Sequence, residues 1–249
     1  MGPGRHDLAG QTWAELRDRR PLVLLPVGSI EQHGPHLPLD TDAAVATAVA
    51  TRAVERLAAT VDVALAPVLP YGASGEHEAF PGTVSIGHEA LRLLLIEIGR
   101  SALRWSGRLV IVNGHGGNLA TVQDAVLRLR YEQRDVAWWA CATPGGDAHA
   151  GRTETSLMYA LRPAAVRAEL AVAGPTEPVE QLMSQLVAHG VGGVSASGVL
   201  GDPTGADAEE GNALLDDLTD RLCAAVLGWH VDGRGSLAAT ADRVAEPRP

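Results

Sequence analysis

Apolar and polar positions follow two periods along this chain. Four short apolar runs, Leu22–Val27, Val61–Ala66, Leu109–Val112 and Val136–Ala142, are each bounded by Gly, Pro or a charged residue. Such runs predict buried strands. Helical spacing fills the intervals. Asp42–Ala58 is apolar on every face, as in a helix buried against a sheet, and His88–Leu103 places Leu91, Leu94, Leu95 and Ile98 on one side. Leu119–Tyr131 does the same with Val122, Val126 and Leu129, and Glu209–Trp229 reads as a last helix. A weaker helix is expected at Glu177–Ala188, before a Gly/Ser/Val-rich stretch. Strand and helix alternate, which predicts an α/β fold with a mostly parallel sheet covered on both faces. No repeat or linker divides the chain. A single domain over residues 1–249 is expected, with its core at about 21–229 and a flexible tail over 231–249.

Composition narrows the chemistry. The length of 249 residues suits one α/β domain, since such domains often reach about 200–250 residues. With 46% hydrophobic residues the chain can bury a core, and its net charge of −10 argues against a nucleic-acid partner, which needs a basic surface. There is no lysine, so all 20 basic side chains are arginine. That excludes Schiff-base chemistry, pyridoxal phosphate anchoring and a Lys-bearing phosphate loop. Cys141 and Cys223 are far apart, which argues against a disulfide framework and a cysteine zinc site. The N-terminus lacks an apolar leader and no apolar run reaches the roughly 20 residues of a membrane helix. A cytoplasmic protein with no membrane partner is expected.

In open parallel sheets, ligands sit beyond the carboxyl ends of the strands. Five of the nine histidines fall in the four segments that follow the predicted strands: His33, His36, His77, His115 and His149; His88 lies just past the second segment. Glu31 and His33 are two apart after the first strand, so an extended backbone turns both to one side and Ile30 and Gln32 to the other. Asp42 returns at a helix start, where Asp40 is expected to cap. His115 stands between glycines that permit close approach. Glu154 falls in the first turn of a further helix, where an acid also answers the helix dipole. Gly114–Gly117 is equally a simple turn or an anion-binding one, and Trp138 and Trp139 read as core. Taken together, two histidines and three carboxylates on separate loops suit Zn²⁺, Fe²⁺ or Mn²⁺, and a carboxylate can bridge two ions about 3.5–4 Å apart.

Four segments, GSIEQHGPHLPLDTD (28–42), HEAFPGT (77–83), NGHGGN (113–118) and HAGRTETS (149–156), resemble the creatininase family of metal-dependent amidohydrolases. The likeness runs from about Pro21 to Trp229. YGASGE (71–76), GGDAH (145–149) and SASGVLGDPT (195–204) are similar to the family's branch associated with mycofactocin biosynthesis.

The resemblance implies a three-layer αβα sandwich, two divalent metal ions per chain (Zn²⁺ and/or Fe²⁺, with Mn²⁺ as an option) and a homo-oligomer built as a ring of dimers. It implies that Glu31 and His115 hold one ion, His33 the other, and that Asp42 bridges. Creatininase itself carries a glutamate two residues beyond the NGH histidine; here that position is Gly117, and the missing ligand is assigned to Glu154. His149 is expected to act on substrate and move protons, with Glu154 beside it in catalysis. Ser74, Glu76, His77 and Asp147 are expected to meet substrate, and His36, Asp40 and Asn113 to support the ligands. The implied reaction is hydrolysis of a peptide bond near the C-terminus of a modified ribosomal precursor peptide, releasing a small Val-Tyr-derived fragment that becomes the core of a redox cofactor. Creatininase places an aromatic and an acid just before the substrate histidine, where this chain reads Gly145-Gly146-Asp147-Ala148. Creatinine is therefore a poor expectation. Two other readings stand beside this one: an amidohydrolase of a cyclic amide or formamide of a small metabolite, and a non-enzymatic nucleotide- or metal-binding α/β module.

Overall fold

The computed structural model describes residues 6–237. Its centre is a four-stranded sheet in the order β2-β1-β3-β4, with β1 Leu22–Val27, β2 Val63–Leu65, β3 Arg108–Asn113 and β4 Val136–Ala140. All three pairings are parallel. β1 lies in the middle and all six of its residues are buried, which is why it reads as a continuous apolar run. β2 is shorter than the run that predicted it. The amide of Val61 still bonds to Leu57 O in the preceding helical turn, and Asp62 O accepts from Leu22 N.

Helices cover both faces. α1 is a single turn, Trp13–Leu16; then come α2 Thr41–Leu57, α3 Gly87–Ala102, α4 Leu119–Tyr131, α5 Arg152–Leu161, α6 Val179–Val194 and α7 Ala208–Gly228. Strand alternation divides the core in two. Leu22, Leu24, Val110, Val112, Ala137 and Trp139 face one side, against Val49, Ala53, Leu57 and the α7 residues Leu215, Leu218 and Leu222. Val23, Leu25, Leu109, Ile111 and Val136 face the other, against Leu91, Leu95, Val122, Val126 and Leu129. Each fully buried aliphatic side chain contributes about 1.5–3 kcal/mol, so the three-layer αβα arrangement is the one that removes both sheet faces from water.

The chain moves outward from β1 to β2, then crosses β1 to reach β3. The segments after β1 and β3 therefore diverge, opening a crevice at their carboxyl ends. Two glycines let α2 start inside it. A Cβ at Gly28 would collide with the backbone of Ala43, and a Cβ at Gly114 would lie 2.5 Å from Asp42 O. The first turn of α2 is thus wedged between the ends of β1 and β3, and it carries Asp42.

Two expectations are corrected by the backbone. α6 runs beyond the predicted Glu177–Ala188, starting after Pro178 and continuing to Val194 across a break at Gly190, whose φ is 65°. Val231–Leu237, placed in a flexible tail by the sequence, instead closes a turn. Val231 pairs with Leu237, Ser236 bridges to Trp138, and Leu237 is buried. The rest of that tail, 238–249, lies outside the described residues. No helix among the described residues is long and apolar enough to cross a membrane.

Candidate metal centre

The segment after β1 leaves the sheet by a tight return rather than as a strand. His33 bridges back to Leu37 around Gly34 at φ 65°, and Glu31 N donates to Leu39 O at 3.0 Å. This places Glu31 and His33, both fully buried, over the end of the sheet. Asp42 enters from α2 and His115 from the turn after β3. Asn113 Nδ2 donates to His115 O at 2.6 Å and Asn118 Nδ2 to Asn113 Oδ1 at 3.2 Å, so Asn113 shapes that turn.

Around Asp42 the groups converge. His33 Nε2 lies 3.1 Å from Asp42 Oδ1 and 3.9 Å from Glu154 Oε2. His115 Nδ1 lies 3.2 Å from both Asp42 Oδ2 and Glu31 Oε2. Two compact ligand sets result, Glu31–Asp42–His115 and His33–Asp42–Glu154, with Asp42 common to both. A third set, Glu31–His33–His149, brings His149 within the same reach. Both carboxylate oxygens of Glu31 and Asp42 Oδ2 are buried with no hydrogen-bond partner among the described residues. Leaving buried carboxylate oxygens unsatisfied is costly. A cation is the partner that fits them, and the mixed imidazole–carboxylate donor set suits a first-row divalent ion.

Electrostatics agree with that fit. Burial and the Asp42 charge push the Glu31 carboxyl up, but His115 and His77 outweigh them and hold it at about 2. Burial pushes the Asp42 carboxyl up too, yet His33 and His115 keep it far below the usual range. Burial pushes His33 down, but Asp42 and Glu154 raise it to about 10. His115 is raised against its burial by Glu31 and Asp42. The metal-free chain therefore keeps a proton on His33 at neutral pH, and a metal must expel it. Zinc uptake at pH 7 is expected to release at least about one proton per chain and to weaken as pH falls. Titration calorimetry in two buffers of different ionisation enthalpy measures this, and zero release would contradict it.

His149 stands over the centre, 4.4 Å from the His33 ring and 4.5 Å from the His77 ring. Its Nε2 is held by Gln32, 2.8 Å from the backbone oxygen and 3.0 Å from the side-chain amide nitrogen, and its Nδ1 is 3.8 Å from Glu31 Oε1. Burial and the nearby His33 charge lower its pKa. Gln32 also donates to His77 Nδ1 at 2.9 Å, and His77 Nε2 lies 3.3 Å from Glu31 Oε1. Strand alternation would turn Gln32 away from the site, but Glu31 and Gln32 are irregular backbone leading into the Gly34 turn, so the period of two does not apply.

The supporting residues divide. His36 Nε2 meets Thr155 Oγ1 at 3.0 Å, and burial with the charges of His33 and His149 lowers it to about 4. Asp40 precedes α2 but makes no cap hydrogen bond. Its carboxylate takes a two-pronged bond from Arg162 at 2.8 and 2.9 Å instead, a partner 122 residues away that no local pattern reveals. Glu154 Oε2 accepts from Ala150 N at 2.5 Å, and this bond holds the same oxygen 3.9 Å from His33 Nε2.

Glu76, His77, Asp147, His149 and Glu154 line a cavity of about 890 Å³ in front of the centre, with Gly145 and Gly146 on one side and Met183, Val187 and Val191 of α6 on another. Asp147 also accepts from Thr153 N at 3.0 Å, tying its loop to the start of α5. Ser74 is fully buried. Its hydroxyl is committed to Ser29 and lies 3.5 Å from His115 Nε2, so it sits behind His115 rather than at the cavity surface.

Residues 8–226 match the family model for creatininase, described as creatinine amidohydrolase. The chain belongs to the creatininase family. It is 49% identical over 232 residues to the mycofactocin precursor peptide peptidase of Mycolicibacterium smegmatis, covering 92% of this chain and 94% of that one. It is 48% identical over 237 residues to the protein of that name from Mycobacterium tuberculosis, covering 93% and 94%. The creatinine amidohydrolase of Pseudomonas putida is 33% identical over 186 residues, 61% of this chain and 70% of that one. Among solved structures, a manganese creatininase superposes with a TM-score of 0.74 at 27% identity, covering 90% of this chain and 98% of that one.

Proposed function

We propose that this creatininase-family chain is a dinuclear metal-dependent peptidase. It hydrolyses a peptide bond near the C-terminus of the modified mycofactocin precursor peptide and releases a small Val-Tyr-derived fragment. The observation that carries the metal chemistry is the pair of ligand sets sharing Asp42, with three buried carboxylate oxygens that accept no hydrogen bond among the described residues. The observation that carries the substrate is the likeness, across nearly the whole chain, to peptidases of that precursor.

Glu31, Asp42 and His115 would hold one ion, and His33, Asp42 and Glu154 the other, as zinc or iron with manganese as an option. Bound there, divalent ions supply polarisation of an amide carbonyl and a water whose pKa falls to about 7. The chain's own residues do the rest. His149, anchored at Nε2 by Gln32, turns Nδ1 towards the centre and is placed to deliver the proton that the leaving nitrogen requires. Asp147, His77 and Glu76 stand at the cavity wall where the peptide backbone enters. Gly145 and Gly146 leave the cavity open where a smaller substrate would need a closing side chain, and Met183 and Val187 give it an apolar wall. No arginine lines the cavity among the described residues, and the chain has no lysine, which counts against a phosphate ligand. We place the enzyme in the cytoplasm as a homo-oligomeric ring of dimers.

The test is direct. Freshly purified protein should carry about two divalent ions per chain, cleave the modified precursor as read by mass spectrometry, and lose cleavage on chelation. Active protein with under about half an equivalent of metal would sink the centre. An untouched precursor beside a hydrolysed cyclic amide or formamide would reassign the substrate.

A further inference from the structure

His115 turns Nδ1 towards Glu31 and Asp42; its other nitrogen, Nε2, faces a second carboxylate, with Glu76 Oε1 at 3.4 Å and Ala73 O at 3.3 Å. Glu76 comes from the Gly75–His77 turn in the segment after β2, far from the β3 turn in sequence. Two glycines seat it. A Cβ at Gly117 would overlap Glu76 Oε1 and lie 2.5 Å from His115 Nε2. A Cβ at Gly190, the break in α6, would lie 2.9 Å from Glu76 O. Gly117 lacks a side chain where the Glu76 carboxylate stands, and Gly190 lets α6 close over the Glu76 backbone.

We propose that Glu76 is the positioning residue of His115, and that Gly117 is glycine because the Glu76–His115 contact, with Ala73 O beside it, fills its side-chain space. The inference rests on His115 being a metal ligand, as proposed above. A carboxylate at the outer nitrogen of a ligating imidazole fixes the ring plane, holds the proton on that nitrogen and makes the other a better donor; losing such a partner typically costs about 10–100-fold in metal affinity. Glu76 supplies this from a separate loop, so the first ligand set depends on the β2 segment as well as on β1, α2 and β3.

The experiment is chelator competition for zinc on the full chain, read beside thermal unfolding of the metal-free protein. Glu76→Ala should weaken one of the two ions about 10–100-fold and leave the other, with metal-free unfolding unchanged. Glu76→Gln, whose amide oxygen can still accept from Nε2, should recover most of the loss. Gly117→Ala should reproduce the loss with Glu76 intact, and its added cost should be smaller in the Glu76→Ala background, because the overlap with Glu76 Oε1 is then gone and only those with His115 Nε2 and Ala73 O remain. The inference is overturned if Glu76→Ala binds both ions as the wild type does. It is overturned equally if Glu76→Gln loses as much zinc affinity as Glu76→Ala, or if metal-free Glu76→Ala unfolds early in step with its metal loss. A wild-type chain that takes up no zinc would instead defeat the dinuclear reading itself.

Discussion

Asp42→Ala is expected to strip the protein of both metal ions and to lower peptide cleavage by at least about 10³, since the lost polarisation amounts to several kcal/mol of barrier. Asp42 is the only residue common to the two Asp42-bearing ligand sets, with Oδ1 on the His33 side and Oδ2 on the His115 side. Its removal also leaves buried His33 without its nearest counter-ion, while His115 keeps Glu31 at 3.2 Å. The fold should survive. α2 is held by Val45, Val49, Val54 and Leu57 in the core, and Asp42 contributes nothing to that packing. Glu154→Ala is the one-sided control. Glu154 belongs to the His33 set alone, so its loss should cost one ion and spare the other. Elemental analysis with circular dichroism reads all of this. An Asp42→Ala protein that still carries about two ions would show that the centre is built elsewhere, and a fully active Glu154→Ala enzyme would show that the ligand absent at Gly117 is not supplied by residue 154.

His149→Gln is expected to keep both ions and lose about 10²–10⁴ in kcat, roughly 3–5 kcal/mol of barrier. The ring is buried over the centre and anchored from behind by Gln32. Burial and the His33 charge favour its neutral form, so it can take a proton and pass it to the departing nitrogen. The geometry also brings it within ligand reach of Glu31 and His33, so metal content decides between the two roles. One ion lost with His149→Gln would make it a ligand. Both ions retained with near-normal turnover would move proton delivery to Glu76 or His77, which line the same cavity.

Much of this protein is legible in its order of residues. The four strands and the helices α2, α3, α4 and α7 are predictable to within a few positions because two-sided burial of a parallel sheet leaves continuous apolar runs, and helices packed on it repeat at 3.6. The ligand-bearing segments were equally visible, since they follow those strands and carry acids and imidazoles where a loop would otherwise be polar at random. What only the tertiary structure decides is how these segments meet. Asp40 bonds to Arg162 rather than capping its helix, because a bidentate ion pair with a distant side chain outcompetes a local amide. Gln32 joins His149 and His77, because the chain after β1 folds into a turn where strand alternation has no meaning. Glu76 reaches His115 across the space left by Gly117. Residue type and local period fix which groups are available for chemistry; the crossing of β2 and β3 around β1, and the glycines that let backbones touch, determine which of them converge on Asp42.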